Sequence, residues 1–352
     1  MSPMRSIRSW RLAAGLLCLV AGSAAATPFD SGGTPISDMH FRVAYARQQR
    51  GRFTDALRQM SRALVQEPTY ANGYLYRARL EISIGDFAAA RDDIDHFATL
   101  QPNTRIAAIY RAKLALYQAD GAAALAALNH AAALPYGDTE HVKVRIYSYF
   151  SDAEFFGFRS VAEALVGQND AAFQDFKVAV RAQAKNDGPI LNDICHAAGV
   201  AGLFDLGTLA CQESIASQWV DSSRPYANLA YIELRQHKWA EAIANDTKAL
   251  ARQGGFTSAL YGRGIARIAT GDTDAGKADL ARARAREPQI DDIMARLHAP
   301  TEATWADKAA PAAPGAAQQG SSQQGSSQQG SSQQGAAQQG LTDIPPVHVS
   351  PD

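Results

Sequence analysis

At 352 residues and 46% hydrophobic content the chain can bury a large core, so length does not limit its fold. Lys and Arg number 34 against 35 Asp and Glu, a balance that lacks the basic footprint of a nucleic-acid binder. The eight histidines are scattered with no His-x-x-His or His-Glu-x-x-His spacing, and no Gly-rich phosphate loop follows a predicted strand, so neither a metal nor a cofactor is expected.

Residues 1–26 carry Arg5, Arg8 and Arg11, an apolar run from Leu12 to Val20, and Ala24-Ala25-Ala26 ahead of Thr27 and Pro28. That is the order of a secretory signal, with cleavage near Ala26 and a periplasmic or secreted product. The apolar run is too short to span a bilayer, and Leu17 before Cys18 argues against a lipid attachment site. No later stretch is apolar enough to span a membrane, so the mature chain is expected to have no transmembrane span. It keeps two cysteines, Cys195 and Cys211, an even count for an oxidising compartment.

After a Gly-, Pro- and Ser-rich leader at 27–36, one short pattern recurs seven times at intervals of 34 or 35 residues, except for one of 48. It reads Gly-x-aromatic, a small residue three later, an apolar residue four beyond, and a second small residue three further on. Gly51, Phe53, Ala56, Met60 and Ala63 state it, closed by Pro68; Gly85, Phe87, Ala90, Ile94, Phe97 and Pro102 repeat it. Later units vary the slots: Ala119 and His237 stand in for the glycine, and Asn169 stands in for the aromatic. A fixed period of this size marks a solenoid of repeated supersecondary units. The units fall at 37–70, 71–104, 105–138, 153–186, 188–221, 223–256 and 257–290. The insert at 139–152 contains the alternating run His141–Ile146, and within a helical array it is read as an extra helix or a lengthened hairpin rather than a strand.

Residues 291–299 read as a half-polar capping helix for the open end of the array. Beyond Pro300, five pentapeptides end in Gly320, Gly325, Gly330, Gly335 and Gly340. They carry nothing that could bury enough surface to offset chain entropy, so 300–352 is predicted to be a disordered tail.

The period and the Gly, aromatic, Ala, Ala, Pro order resemble a tetratricopeptide repeat protein, over roughly residues 37–290. Tyr261-Gly262-Arg263-Gly264-Ile265-Ala266 and Gly271-Asp272 are similar to the last repeat of many bacterial members. The resemblance implies an all-α, right-handed solenoid of about seven helical hairpins. Its first helices would line a concave surface, with Phe41, Tyr45, Tyr76, Tyr110, Tyr117, Tyr231 and Tyr261 on their inner faces. Those rings suit peptide capture or packing between helices. Some members grip a peptide C-terminal carboxylate with a Lys and Asn set; here Phe41, Tyr45, Ile106 and Tyr110 occupy the matching places, so that activity does not carry over.

In the same frame Cys195 takes a small-residue slot on one helix, and Cys211 takes the Met60 slot on the helix facing it. The pair forms either a disulfide, which is favoured, or two buried free thiols. Cys195 and His196 are adjacent and so point about 100° apart on a helix, which weakens a thiol enzyme using Cys195. The acidic pairs Asp92-Asp93 and Asp291-Asp292 read as solvated faces. The functional expectation is a non-catalytic scaffold or adaptor in a bacterial cell envelope that binds a partner polypeptide through the concave groove. The rival is an accessory subunit of an envelope assembly, polysaccharide synthesis or secretion machine.

Overall fold

The computed structural model describes residues 33–134, 152–182, 188–217, 223–302 and 304. The signal segment, most of the leader, nearly all of the 139–152 insert and the Gln-rich tail lie outside the described residues.

The described residues form seven helical hairpins and one short helix, with no strand among them. The hairpins are α1 (Pro35–Gln49) with α2 (Phe53–Gln66), α3 (Ala71–Ser83) with α4 (Phe87–Leu100), and α5 (Arg105–Tyr117) with α6 (Gly121–Ala133). They continue as α7 (Asp152–Leu165) with α8 (Asn169–Ala182), α9 (Gly188–Ala201) with α10 (Phe204–Ala216), and α11 (Ser223–Arg235) with α12 (Trp239–Arg252). The last is α13 (Thr257–Ala269) with α14 (Thr273–Arg286), followed by α15 (Ile290–Arg296).

Each first helix ends in the same way. The residue at the glycine slot adopts a left-handed backbone, with φ of 68° at Gly51, 74° at Gly85, 79° at Gly167, 85° at Gly202 and 93° at Gly271. Its N–H bonds a carbonyl three residues back, and the next N–H bonds one five residues back, as in Gly51 to Gln48 and Arg52 to Arg47. These paired bonds satisfy carbonyls that the helix end leaves open. The glycine-less units keep the turn: Ala119 has φ 56° and His237 φ 58°, with the same two bonds. Packing of the array overrides the local preference of an L-residue there.

Inside each hairpin except α9 with α10, where Cys195 and Cys211 occupy the two slots, a small residue on the first helix is matched, sixteen positions on, by a larger one on the second. Ala44 and Met60, Ala78 and Ile94, and Ala112 and Leu128 fill these slots and are fully buried. At Gly264 an added Cβ would come within 2.9 Å of Leu280, so the small slot sets how closely the two helices approach. One position earlier runs a set of paired charges. Arg77 binds both carboxylate oxygens of Asp93 at 2.6 Å, Arg263 binds those of Asp279 at 2.7 and 2.9 Å, and Arg159 binds Asp175 in the same two-pronged way. Asp93 is therefore buried and paired rather than solvated, while its neighbour Asp92 is exposed.

The array curls until its first hairpin meets its last. The Thr54 amide donates to Glu287 Oε2 at 2.9 Å, and Gln253 Nε2 donates to the Gln49 carbonyl at 2.5 Å. The Thr257 hydroxyl donates to the Arg50 carbonyl at 3.4 Å. The turn at Gly51 sits against the start of α13 so closely that a Cβ there would lie 3.0 Å from the Thr257 nitrogen.

Candidate functional site

The first helices α1, α3, α5, α9, α11 and α13 supply much of the inner wall, and α15 turns inward across it. Where a capping helix is expected at 291–299 the chain forms α15, Ile290–Arg296, and seats Ile290, Ile293, Met294 and Leu297 against the wall, each at most 4% exposed. Polar ties fix it from three directions. The Tyr231 hydroxyl donates to the Leu297 carbonyl, Arg296 Nε donates to the Ile84 carbonyl at 2.9 Å, and Arg284 grips Asp291 at 2.7 and 2.8 Å. Asp291, read from sequence as solvated, is thus paired.

A cavity of about 90 Å³ remains between α15 and the wall. Its α15 side is apolar; its opposite side carries Arg79, Lys113, Asp193, His196 and Arg224. Lys113 Nζ lies 2.6 Å from Asp193 Oδ2, and an Arg79 nitrogen lies 3.6 Å from the same oxygen. Burial would raise the Asp193 carboxyl, but Lys113, Arg79 and Arg224 outweigh it and hold it below the usual range. Burial drives His196 down to about 4, so its imidazole is neutral near pH 7, and its Nδ1 is 2.8 Å from the Tyr117 hydroxyl.

Of the rings expected on the concave surface, Tyr117 and Tyr231 line the cavity, and nearly all are buried. Phe41, Tyr76, Tyr110, Tyr117, Tyr231 and Tyr261 are all at most 9% exposed, and only Tyr45 is half-buried. Phe41 packs on Tyr76 with ring centres 4.6 Å apart, and the Tyr76 hydroxyl donates to Gln48 Oε1 at 2.8 Å. Tyr261 donates to Asp291 at 3.2 Å. Burial pushes the Tyr231 phenol up to about 12 and Tyr76 higher still. The physical reason is closure: a curled array with α15 inside leaves these side chains as packing and as hydrogen-bond donors to its own backbone and side chains.

Cys195 and Cys211 are fully buried, with Cα atoms 5.1 Å apart and their sulfurs at bonding distance, linking α9 to α10. A thiol enzyme needs an accessible thiol facing a base, whereas here the sulfur is bridged and the His196 ring turns to Tyr117.

Two features escaped the sequence reading. The Arg-to-Asp pairs stand eight residues before and eight after the turn glycine in three units, a recurrence visible once the repeats are phased. The other is Asp246, which occupies the apolar slot held elsewhere by Met60, Ile94, Leu128 or Leu280. It is 2% exposed, and among the described residues its Oδ2 has no hydrogen-bond partner. Burial pushes its carboxyl well above the usual range against the pull of Arg263. An added Cβ at Gly262 would lie 2.5 Å from that oxygen, so a larger residue there would force the carboxylate to shift.

Among the described residues no group of three or more His, Cys, Asp or Glu could hold a metal ion, and no helix is long and apolar enough to cross a membrane. No family model matches the sequence, and no curated protein matches it significantly. Among solved structures, a tetratricopeptide repeat protein from Parabacteroides merdae is 15% identical, covering 74% of this chain and 98% of its own, with a TM-score of 0.38. PilW, a type IV pilus biogenesis factor, is also 15% identical, covering 75% and 100% with a TM-score of 0.34. YrrB, a tetratricopeptide repeat protein with an unusual peptide-binding site, is 12% identical, covering 67% and 96% with a TM-score of 0.31. The described array is an all-α solenoid of seven helical hairpins, each with a left-handed turn between its helices.

Proposed function

We propose that the protein is a non-catalytic scaffold that holds a partner polypeptide on its concave face, in the bacterial envelope after export. The observation that carries this reading is α15 itself. A short helical segment is seated on the inner wall through four apolar side chains, a hydrogen bond from Tyr231 to its backbone and one from its Arg296 to the wall's backbone, so that wall has the shape and chemistry to hold polypeptide. Export is supported by the basic start, the short apolar core and the alanine site of residues 1–26, and the bridged cysteines agree with an oxidising compartment.

A second reading, an accessory subunit of a larger envelope assembly, is favoured by one observation. Ile36, Met39 and Val43 form a stripe on one face of α1 and are 56%, 53% and 37% exposed. Photo-crosslinkers placed separately at Ser83 on the inner wall and at Met39 on the stripe test both readings in envelope extract. Capture of one protein from Ser83 supports the scaffold reading, capture from Met39 alone supports the assembly reading, and capture from neither ends both.

A further inference from the structure

We propose that α15 is a displaceable occupant of the groove, and that the partner segment replacing it is a short amphipathic helix with apolar residues at i, i+3, i+4 and i+7. The proposal rests on the concave-face scaffold reading and specifies what that face recognises.

The spacing is taken from α15. Ile290, Ile293, Met294 and Leu297 all face inward and are buried, while Asp292, Ala295, Arg296 and His298 are exposed. That is the anchor pattern of a helix lying in a groove. The wall opposite comes from distant repeats, with Tyr231 from the sixth hairpin and Ile84 at the end of α3 both reaching the same short helix. The Tyr231 contact goes to the backbone of the occupant and is independent of its sequence, whereas the Ile84 carbonyl selects a basic side chain at the position of Arg296. Two further features distinguish α15 from the hairpins. It is one seven-residue helix, too short to persist without the wall. Among the described residues it also has no antiparallel mate of its own, being joined to α14 by a three-residue connection.

Tethering explains why the groove stays closed when no partner is present. A segment joined to its site binds at a high effective concentration, so a free peptide of equal intrinsic affinity competes poorly. A partner must therefore add contacts outside the α15 footprint, or α15 must be weakened first. The polar side of the cavity, with Lys113, Arg79 and Asp193, lies next to the footprint and supplies such contacts.

The test uses the full mature chain and a fluorescent peptide with the sequence of residues 288–300. In the double variant Ile293→Asp, Met294→Asp the apolar seat of α15 is lost. The peptide is expected to bind this variant about tenfold or more tighter than it binds the unaltered chain. A peptide carrying the same two substitutions is expected not to bind. A variant that melts cooperatively yet leaves the native peptide unbound overturns the proposal. Hydrogen exchange on the unaltered chain decides independently, including where the variant fails to fold. Amides of α15 are expected to exchange faster than those of α13 and α14, through a local opening. Exchange of α15 only in step with global unfolding would make it a permanent part of the core and overturn the proposal. The scaffold reading fails separately, through absence of crosslinking from Ser83.

Discussion

Thr54 and Glu287, 233 residues apart in sequence, are hydrogen bonded: the Thr54 amide meets Glu287 Oε2 at 2.9 Å, and its hydroxyl meets the other carboxylate oxygen. Glu287 is 1% exposed, so its charge is held by these donors at the N-terminal end of α2, where the helix dipole also favours an anion. Glu287→Ala should lower the unfolding free energy by about 1–3 kcal/mol, since it removes a charged acceptor from a buried seam. Urea denaturation measures it. A cycle with Thr54→Ala should show coupling between the two sites, which lie on opposite ends of the array.

Ala119 is held at φ 56°, in a turn where five other hairpins place glycine. Ala119→Gly should stabilise the chain, because the left-handed conformation costs an L-residue about 1–2 kcal/mol, part of which is returned through the looser unfolded chain. A net gain of about 0.5–1 kcal/mol is expected, read as a higher urea midpoint at unchanged slope. The reverse change at Gly85 should be harmful twice over: φ is 74°, and a Cβ would meet that of Arg296 at 2.8 Å.

Asp246 sits in a core slot with an oxygen that has no hydrogen-bond partner among the described residues and a carboxyl pushed above its unfolded value, by burial first and by Glu233 and Asp279 next. The sign follows from the protonated form being the one the fold prefers. Its contribution is intact below the unfolded carboxyl pKa of about 3.9 and is lost as pH rises through the folded value. Asp246→Leu, which restores the residue type of the other units, should therefore raise stability at pH 7 by about 1–3 kcal/mol and remove part of the decline between acid and neutral pH. Melting temperatures of both proteins across pH 4 to 8 check the slope as well as the size.

The link between Cys195 and Cys211 joins residues 16 apart, on the two helices of one hairpin. Reduction should cost about 3 kcal/mol if the chain-entropy account applies to a loop of this length. Non-reducing peptide mapping of protein from the native compartment shows whether the cross-link is present, and melting with and without reductant gives its size.

The mature N-terminus should lie near Thr27, as the Arg-rich start and Ala24-Ala25-Ala26 predict. N-terminal sequencing of protein recovered from envelope and cytoplasmic fractions checks this; full-length chain retaining Met1 in the cytoplasm alone would be the opposite result.

The hairpins were legible because their signals are local. A glycine at Gly51 or Gly85 marks a turn through its own backbone freedom, and a small residue such as Ala56 marks a close approach within a few positions. Even the glycine-less turns at Ala119 and His237 could be placed by counting. What the sequence did not show is curvature. Small rotations between neighbouring hairpins add up over seven units, and no single residue encodes their sum. The repeat pattern predicts tyrosines facing an open groove, and their burial is not legible in it, because nothing in a local pattern says that Thr54 will meet Glu287 or that α15 will turn inward. Asp246 is informative for not fitting: a repeat pattern calls for an apolar residue in its slot, and the buried carboxylate departs from it.

An open solenoid can gain or lose an internal unit at the cost of one interface, since each unit touches only its neighbours. Here the seam formed by Gln49, Arg50 and Thr54 with Gln253, Thr257 and Glu287 ties the unit count to the geometry. Adding or deleting one hairpin would carry the two ends past each other. The same seam orders events during synthesis: α1 and α2 emerge first but lack their closing contacts until residue 287 has been made. The chain therefore completes its fold only after nearly all of it is available, the high-contact-order step coming last.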